Sequence, residues 1–415
     1  MHPHPIQKKN IILGVTGSIA AYKAADLASK LAQSGAIVNV VLTEAAAKFI
    51  APLTFQSVTG EPAYSDADLW GADAHVLHIG LARKADALLI APATANTLAK
   101  LAHGGADDLL SLTALALGTG ADTPLLMIAP AMDAGMYTHA ATQENVEILK
   151  RRGVVFVGPE AGHLASGLVA KGRMSEPADI LGQLRYQFSR RGPLLGKHIV
   201  VTAGPTQEII DPVRYLSNRS TGKQGYALAQ AALDAGADVT LISGPVHLSP
   251  PGGATCVHVR TALEMEKAIL SACQTADALI MAAAVADFRP AQAADQKIKK
   301  LGGAPALPLS ANPDILAAVN QQRATTQKPN VVVGFAAETQ SIIANAEDKM
   351  RRKGMNFIVA NDVSAHDAGF AVETNRVTLL HTAGRKEELP LMSKAEIAAE
   401  VIERVITLLN PQENA

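Results

Sequence analysis

The sequence predicts an α/β protein of two doubly wound, Rossmann-like domains, and three observations carry that prediction. Hydrophobic residues make up 48% of the 415, while aromatics account for only 4%. Small and branched aliphatic side chains must therefore fill the core, as they do where helices cover buried parallel strands. Apolar runs of strand length alternate with helical stretches along the chain. The same opening, an apolar strand, a Gly-bearing turn and then a helix, occurs at residues 10–33 and begins again at 196. The length also suits two domains better than one.

Taken in order, NIILGVTGSIAAYKAADLASKLAQSG reads as a buried strand, a Gly-Ser turn and an amphipathic helix. VNVVLT at 38–43 is the second strand, and ADALLIAPA and PLLMIAPA are further strands running into Pro-containing loops. ADILGQLRY is a helix, and the charged, Gly- and Pro-bearing stretch 186–197 that follows it is the boundary, giving domains 1–190 and 191–415. The second half reads as strand (GKHIVVTAGPT), polar run, helix (GYALAQAALDAG) and strand (ADVTLISG). Later strands are ALIMAAAVAD, NVVVGFAAET and NFIVANDV, with TALEMEKAILSACQ among the intervening helices.

Several classes of function are disfavoured. A net charge of −1 gives no global attraction for nucleic acid or an anionic membrane, so local cations must carry any anion binding. Two cysteines, Cys256 and Cys273, without ligand spacing around them, support neither a disulfide framework nor a structural zinc site. The opening MHPHPIQKKN has no apolar core of signal-peptide length, and no apolar run reaches about 18 residues, so a cytoplasmic protein is expected.

In open α/β sheets ligands bind beyond the carboxyl ends of the strands, which selects the loops 14–23, 43–48, 92–97, 130–137, 203–225, 284–290 and 335–339. In the first of these, Gly14 and Gly17 sit in the strand–helix turn with Ser18 as a candidate N-cap, a place for one phosphate. A tight turn with an ordinary serine cap fits the same residues. The pattern is not G-x-G-x-x-G, which disfavours a dinucleotide. In the second half RYLSNRSTGKQG (214–225) is rich in hydroxyls, amides and cations. It is not a Walker loop, because Ser217 and Gln224 stand where glycine and Ser or Thr are required. By itself it is either an anion-binding loop or a solvated turn.

GVTGSIAAYK, HIGLARKADALLIAPATANTLAKLAHGGADDLL, PAMDAGMY and GRMSEP, in that order, resemble the flavin-containing cysteine decarboxylase family. The likeness is to the decarboxylase half of the bifunctional phosphopantothenoylcysteine decarboxylase/phosphopantothenate–cysteine ligases and covers residues 8–180. It implies a flavodoxin-like domain binding FMN, with Gly17 and Ser18 at the phosphate and Thr43, Thr94 and Asn96 around the flavin. His78 matches the family's active-site histidine, although a lone histidine there would more often only open a helix. In that family the flavin oxidises the cysteinyl thiol to a thioaldehyde, the electron sink for losing carbon dioxide, and then reduces the resulting enethiol. Two positions depart from the pattern. Asp133 replaces the asparagine of Pro-Ala-Met-Asn, and a carboxylate cannot hydrogen-bond a substrate carboxylate unless it is protonated or bridged by a cation. Ser166 replaces a cysteine that donates a proton in the last reduction, and a hydroxyl is a far weaker acid. His163 is a candidate donor or a solvated loop histidine. Arg173 is retained, to clamp a phosphate or carboxylate.

TAGPTQEIIDPVRYLSNRSTGKQGYALA, AAAVADFRP, DQKIKK, NPDIL, GFAAET and KMRRKGMNFIVANDV resemble the ligase half of the same family over residues 196 to about 407. That half would activate the carboxylate of 4′-phosphopantothenate with CTP as an acyl-cytidylate, with Mg²⁺ on the triphosphate, and L-cysteine would then displace CMP. The resemblance puts Asn218 on the substrate carboxylate or acyl-cytidylate and Arg214 in the same loop. Asp287 falls on the nucleotide or its metal, Lys297 on acyl transfer, and Lys349 and Lys353 on the nucleotide. Gly204, Ser220, Gly222 and Phe335 shape the pocket, and Lys299 and Lys300 add charge. Read without the motifs, Lys349 and Lys353 are as well the wet face of a helix, Asp287 a turn former and Asn218 an Asx-turn. The family assembles as homo-oligomers built from decarboxylase trimers and ligase dimers, and a homo-oligomer is expected here. Two rival readings stay open: an active ligase whose flavin half is inactive or only oxidatively decarboxylating, and a flavoprotein oxidoreductase fused to a nucleotide-binding domain.

Overall fold

The computed structural model describes residues 4–70, 76–120, 123–299, 306–338, 342–362, 374–382 and 384–410. Lys300 and Thr339 of the quoted motifs lie outside the described residues. The chain divides into two compact units, one running to Phe188 and the other from Ser189 onward. Among the described residues no helix is long and apolar enough to cross a membrane.

The first unit contains β1 (Asn10–Val15), α1 (Ala21–Gln33), β2 (Ile37–Leu42), α2 (Glu44–Ala47), α3 (Pro52–Thr59), β3 (Ala63–Ser65), α4 (Leu77–Lys84) and β4 (Ala87–Ala93). It continues through α5 (Ala95–His103), α6 (Leu109–Ala116), β5 (Leu125–Pro130), α7 (Ala134–Thr138), α8 (Ala140–Arg151), β6 (Val155–Phe156), the hairpin β7 (Glu160–His163) and β8 (Val169–Arg173), and α9 (Pro177–Ser189). The six-stranded sheet has the order β3-β2-β1-β4-β5-β6, parallel throughout. Without the short edge strand β3, the order is that of a flavodoxin-like sheet. Alternation along the strands sends residues to two cores. Ile11, Leu13, Val15 and Leu89 join α1 and α9 on one face, while Ile12, Leu88 and Ile90 join α5, α6 and α8 on the other. Burying each such side chain fully contributes roughly 1.5–3 kcal/mol, which is why these strands read as unbroken apolar runs.

The second unit repeats the plan. Its elements are β9 (His198–Ala203), the hairpin β10 (Gln207–Ile209) and β11 (Tyr215–Ser217), α10 (Lys223–Asp234), β12 (Asp238–Ser243), β13 (Thr255–His258), α11 (Ala262–Ala272) and β14 (Ala278–Met281). Then follow β15 (Phe288–Pro290), β16 (Leu309–Ala311), α12 (Ile315–Thr326), β17 (Val331–Glu338), α13 (Ile342–Arg352), β18 (Phe357–Asp362), β19 (Thr374–Asn375), β20 (Val377–His381), β21 (Lys386–Glu388), β22 (Met392–Ser393) and α14 (Lys394–Leu409). The eight-stranded sheet runs β13-β12-β9-β14-β17-β18-β20-β21. Its first six strands are parallel, in the doubly wound 3-2-1-4-5-6 order, and β20 and β21 are antiparallel additions. Met265, Ile269, Val319 and Met350 of α11, α12 and α13 cover one face. On α10, a Cβ at Gly225 would stand 2.5 Å from the Ala203 Cβ and 2.8 Å from the Thr202 carbonyl oxygen. Glycine thus lets the helix start directly over the end of β9.

One predicted strand is shorter than its apolar run. ALIMAAAVAD pairs continuously only as far as Met281, with one isolated bridge beyond it between Ala284 and Pro205, because the amides next to Met281 leave the ladder. Ala282 and Ala283 donate to the Thr202 hydroxyl, each at 3.1 Å, and Ala286 to that of Thr206 at 3.0 Å. That departure converts a strand end into the floor of a cavity.

Two candidate active sites

In the first sheet the strand order reverses between β1 and β4, and Thr16 pins the loops leaving them. Its buried hydroxyl donates to the Pro92 carbonyl at 2.7 Å and accepts the Thr94 N–H at 3.1 Å. Thr43 and Thr94 each cap a helix, taking the Ala46 N–H at 3.2 Å and the Thr97 N–H at 3.3 Å. At Gly17 a Cβ would lie 2.5 Å from the Ala45 Cβ, so the first loop can run against α2 only as glycine. Ser18 is not the cap of α1. The N-cap is Ala20, no side chain caps it, and Ser18 instead accepts the Ala20 N–H at 3.3 Å. Within that first turn the Ala21 and Lys23 N–H groups already donate to the Ser18 and Ala20 carbonyls, at 2.9 and 3.0 Å. Asn96 is exposed on the first turn of α5. His78, the second residue of α4, is half-buried, and its buried Nδ1 has no hydrogen-bond partner among the described residues.

A cavity of about 390 Å³ lies where the β7–β8 hairpin meets the start of α1 and the loop after β5, within the size range of small-molecule sites. Ser18, Tyr22, Lys23, Asp133, His163, Ser166 and Arg173 line it, whereas Gly17, Thr43, His78, Thr94 and Asn96 do not. The two departures from the family pattern touch here. The Ser166 hydroxyl donates to Asp133 Oδ2 at 2.6 Å, and Asp133 Oδ1 caps α7 by accepting the Gly135 N–H at 3.0 Å. The Ser166 hydroxyl first, and that N–H second, hold the Asp133 carboxyl below the usual carboxylate range. Asp133 is therefore ionised near neutrality and offers no proton to a substrate carboxylate. Lys23 bonds Glu176 at 2.9 Å and Arg173 pairs with the same carboxylate, so Glu176 engages both cations beside the cavity.

The hairpin is fixed at its base, where Met132 N–H donates to the Gly172 carbonyl at 3.0 Å. A Cβ on Gly172 would come within 2.2 Å of the Met132 carbonyl oxygen. Gly172→Ala must push the hairpin off this loop, and a loss of about 1–3 kcal/mol is expected. Denaturant titration checks it, and an unchanged midpoint would show that the hairpin is not seated there.

The second unit uses the same device across β9 and β14. Thr202 and Thr206 take the amides named above, and Ala284 N–H donates to the Gly204 carbonyl at 2.9 Å. Above this floor is a cavity of about 670 Å³ lined by Asn218, Ser220, Gly222, Asp287, Phe335 and Lys349, together with Asn361, Asn375 and Lys394. A neighbouring cavity of about 250 Å³ shares Asp287, Phe335 and Lys349 and adds Asn312, Asp314 and Lys353. Lys349 and Lys353 thus face one site and are not merely a wet helix face. Lys353 pairs with Asp314 at 3.0 Å. Burial alone would raise the Asp314 carboxyl, but Lys353, the Ala317 N–H and Lys349 together bring it below its ordinary value. The Asn218 amide donates to the carbonyls of Ala284 (3.1 Å) and Val285 (3.3 Å), tying the polar run to the cavity floor. Arg214 and Lys297 do not line either cavity. Arg214 is bound by Asp211, three residues earlier, at 2.5 Å, and Lys297 is exposed on the following loop.

Sequence reasoning missed Thr16, Lys23 and Glu176 in the first unit, and Thr202, Thr206, Asp211, Asn361, Asn375 and Lys394 in the second. One signal was available: both openings place a threonine beside a glycine turn, in VTGS and VTAGPT. Asn361 and Lys394 come from distant elements and carry no local sign of convergence.

Two doubly wound units, each with a ligand-sized cavity at the carboxyl edge of its sheet, define a two-domain α/β protein of the ligand-binding class. Residues 1–188 match the Flavoprotein family, and residues 194–409 match the family described as DNA/pantothenate metabolism flavoprotein C-terminal domain. The coenzyme A biosynthesis bifunctional protein CoaBC of Bacillus subtilis is 45% identical over 97% of this chain and 98% of its own length. Those of Vibrio vulnificus (46%, over 97% and 98%) and Mycobacterium tuberculosis (42%, over 99% of each) are similar throughout. The solved C-terminal domain of a CoaBC protein is 38% identical over 53% of this chain and 100% of that one (TM-score 0.45), and the FMN binding protein AtHal3 is 33% identical over 43% and 96% (TM-score 0.39). The chain belongs to the CoaBC family of bifunctional coenzyme A biosynthesis enzymes, with a flavoprotein domain followed by its characteristic C-terminal domain.

Proposed function

We propose that residues 191–415 join L-cysteine to 4′-phosphopantothenate with CTP, and that residues 1–190 decarboxylate the resulting 4′-phosphopantothenoylcysteine to 4′-phosphopantetheine, in the cytoplasm. The observation that carries the reading is that in each unit charged and amide side chains line a cavity at the carboxyl edge of the sheet, Lys23, Asp133 and Arg173 in the first and Asn218, Asp287 and Lys349 in the second.

In the ligase half a carboxylate oxygen of phosphopantothenate attacks the α-phosphorus of CTP and pyrophosphate leaves. The cysteine amine then attacks the acyl carbon, CMP leaves, and the amine gives up a proton. Lys349 and Lys353 provide positive charge for the phosphates, with Phe335 beside them. Among the described residues no group of three His, Cys, Asp or Glu would hold a metal. Mg²⁺ would accompany the triphosphate, with Asp287 as a carboxylate contact in the cavity.

The first unit fits FMN in its residues: a glycine-tight loop after β1, an uncapped α1, and helix caps at Thr43 and Thr94 on the same sheet edge. Gly17 and Ser18 would hold the phosphate, and Thr43, Thr94 and Asn96 would lie toward the ring. FMN supplies the electron sink for loss of carbon dioxide. Lys23 and Arg173 attract the anionic substrate, His78 holds or moves a proton, and the hairpin excludes water. The homo-oligomer of trimers and dimers belongs to the same proposal.

The test supplies the full-length protein with phosphopantothenate, cysteine, CTP and Mg²⁺ and resolves the products by mass. Phosphopantetheine with CMP and pyrophosphate supports both halves, and absence of pyrophosphate overturns the ligase reading. The Ser166–Asp133 bond favours a second outcome, because that serine donates to an ionised carboxylate and is a poor acid. In that case the flavin half stops after oxidative decarboxylation, and with dioxygen as the final electron acceptor a product two hydrogens short of phosphopantetheine accumulates.

A further inference from the structure

Asp211, three residues before the polar run begins, is a buried carboxylate that the mechanism leaves unused. Its side chain is fully buried, whereas Arg214 beside it is 49% exposed. Each carboxylate oxygen has its own task. Oδ1 accepts the N–H groups of Val213 and Arg214, both at 2.8 Å, which closes the turn between β10 and β11. Oδ2 accepts from Arg214 Nε at 3.0 Å, from Arg214 Nη2 at 2.5 Å and from the Ile298 N–H at 3.1 Å. Arg214 Nη2 also donates to the Ile298 carbonyl at 2.8 Å, so both backbone groups of Ile298 are held by the one ion pair. A third bond, Ala294 N–H to the Ile210 carbonyl at 2.9 Å, joins the same two segments. Ile298 lies between Lys297 and Lys299.

We infer that Asp211 is a positioning residue for the ligase: through Arg214 and Ile298 it locks the loop carrying Lys297 onto the β10–β11 turn. The inference rests on the ligase reading above. The Lys297 and Lys299 side chains are long and exposed, so only a fixed backbone brings either ammonium repeatedly to one place. The lock supplies that at a residue adjacent to both. The carboxyl of Asp211 is driven far below the ordinary range, chiefly by Arg214 and then by the amides of Val213, Ile298 and Arg214 acting against burial. The carboxylate is therefore ionised near neutrality, where the ion pair is formed.

Asp211→Asn separates the two tasks. An amide oxygen can still accept the two turn amides, but its NH₂ then faces the guanidinium, which keeps only the Ile298 carbonyl, and the Ile298 N–H, which has no acceptor left. Hydrogen exchange on the full-length protein should show the Ile298 amide exchanging about tenfold faster, with Val213 and Arg214 changed less than about twofold. Arg214→Gln, at an exposed side chain that folding tolerates, should speed exchange at Ile298 about threefold. In the ligase assay both variants should release pyrophosphate but pass on the acyl group poorly, the ratio of CMP to pyrophosphate falling about tenfold for Asp211→Asn. Unchanged exchange at Ile298 in both variants overturns the lock. Faster exchange with an unchanged CMP-to-pyrophosphate ratio overturns its role in acyl transfer. Wild-type protein that releases no pyrophosphate from CTP overturns the ligase reading instead, and the exchange data, which need no substrate, distinguish that failure from the first.

Discussion

Asn218→Asp is expected to lower pyrophosphate release from CTP and phosphopantothenate by about 10²–10³-fold. Both hydrogens of the Asn218 amide point at carbonyl oxygens, those of Ala284 and Val285, on the floor of the larger cavity. A carboxylate there meets the same two oxygens with no hydrogen between them, so the bond becomes a repulsion and the polar run lifts from the floor. It also adds a negative charge where an anionic substrate must enter. Asn218→Ala removes the tether without adding charge and should cost only about tenfold. The order of the two variants is the informative result. If Asp and Ala cost the same, loss of the tether alone accounts for the effect and the added charge does not meet the substrate. If Asp retains activity within about threefold, the polar run is not the carboxylate site.

That argument became available only with the fold in hand, and the reason is general to this chain. Its sheets were legible because every central strand is buried on both faces, so sequence and burial carry the same unbroken apolar signal. The two doubly wound units and the sheet edge that bears the loops follow from that signal. The hairpins β7–β8 and β10–β11 were not legible. Their strands are three to five residues long and are held by contacts to distant segments, such as Gly172 on Met132 and Gln207 N–H on the Arg260 carbonyl (2.8 Å). Periodicity has too little to register in strands so short. At the sites, motif resemblance picked out the lining residues Asp287, Phe335, Lys349 and Lys353. It did not show that Arg214 is claimed by its neighbour Asp211, because an Asp-x-x-Arg spacing looks the same whether the arginine faces a ligand or the next loop. Nor could it show that Asp133 and Ser166, two unrelated substitutions 33 residues apart in the chain, satisfy one another. Each alone weakens the expected site, and together they form a bonded pair that replaces an amide and a thiol.

His78→Ala is expected to slow carbon dioxide release from phosphopantothenoylcysteine by about 10²–10⁴-fold, the usual contribution of a positioned acid or base. Ligation on the other unit should continue, so phosphopantothenoylcysteine should accumulate in the coupled reaction. The argument starts from an unmet need. The Nδ1 of His78 is buried and has no partner among the described residues, and such a group costs free energy unless something occupies the place opposite. A bound ligand would satisfy it, whereas a histidine that merely opened α4 could turn the atom to solvent. His78→Asn separates the two roles a histidine can serve, since an amide offers a hydrogen-bonding group near the position of Nδ1 but cannot titrate. If His78 moves a proton, the asparagine variant should bind substrate with a KM near that of the wild type yet turn over as slowly as alanine. Its rate should also lose whatever pH dependence the imidazole imposed. If His78 only anchors a ligand, asparagine should restore most of the turnover that alanine loses. An alanine variant within about threefold of wild type would leave the buried nitrogen without a function and would move the catalytic centre of this unit to the residues beneath the hairpin.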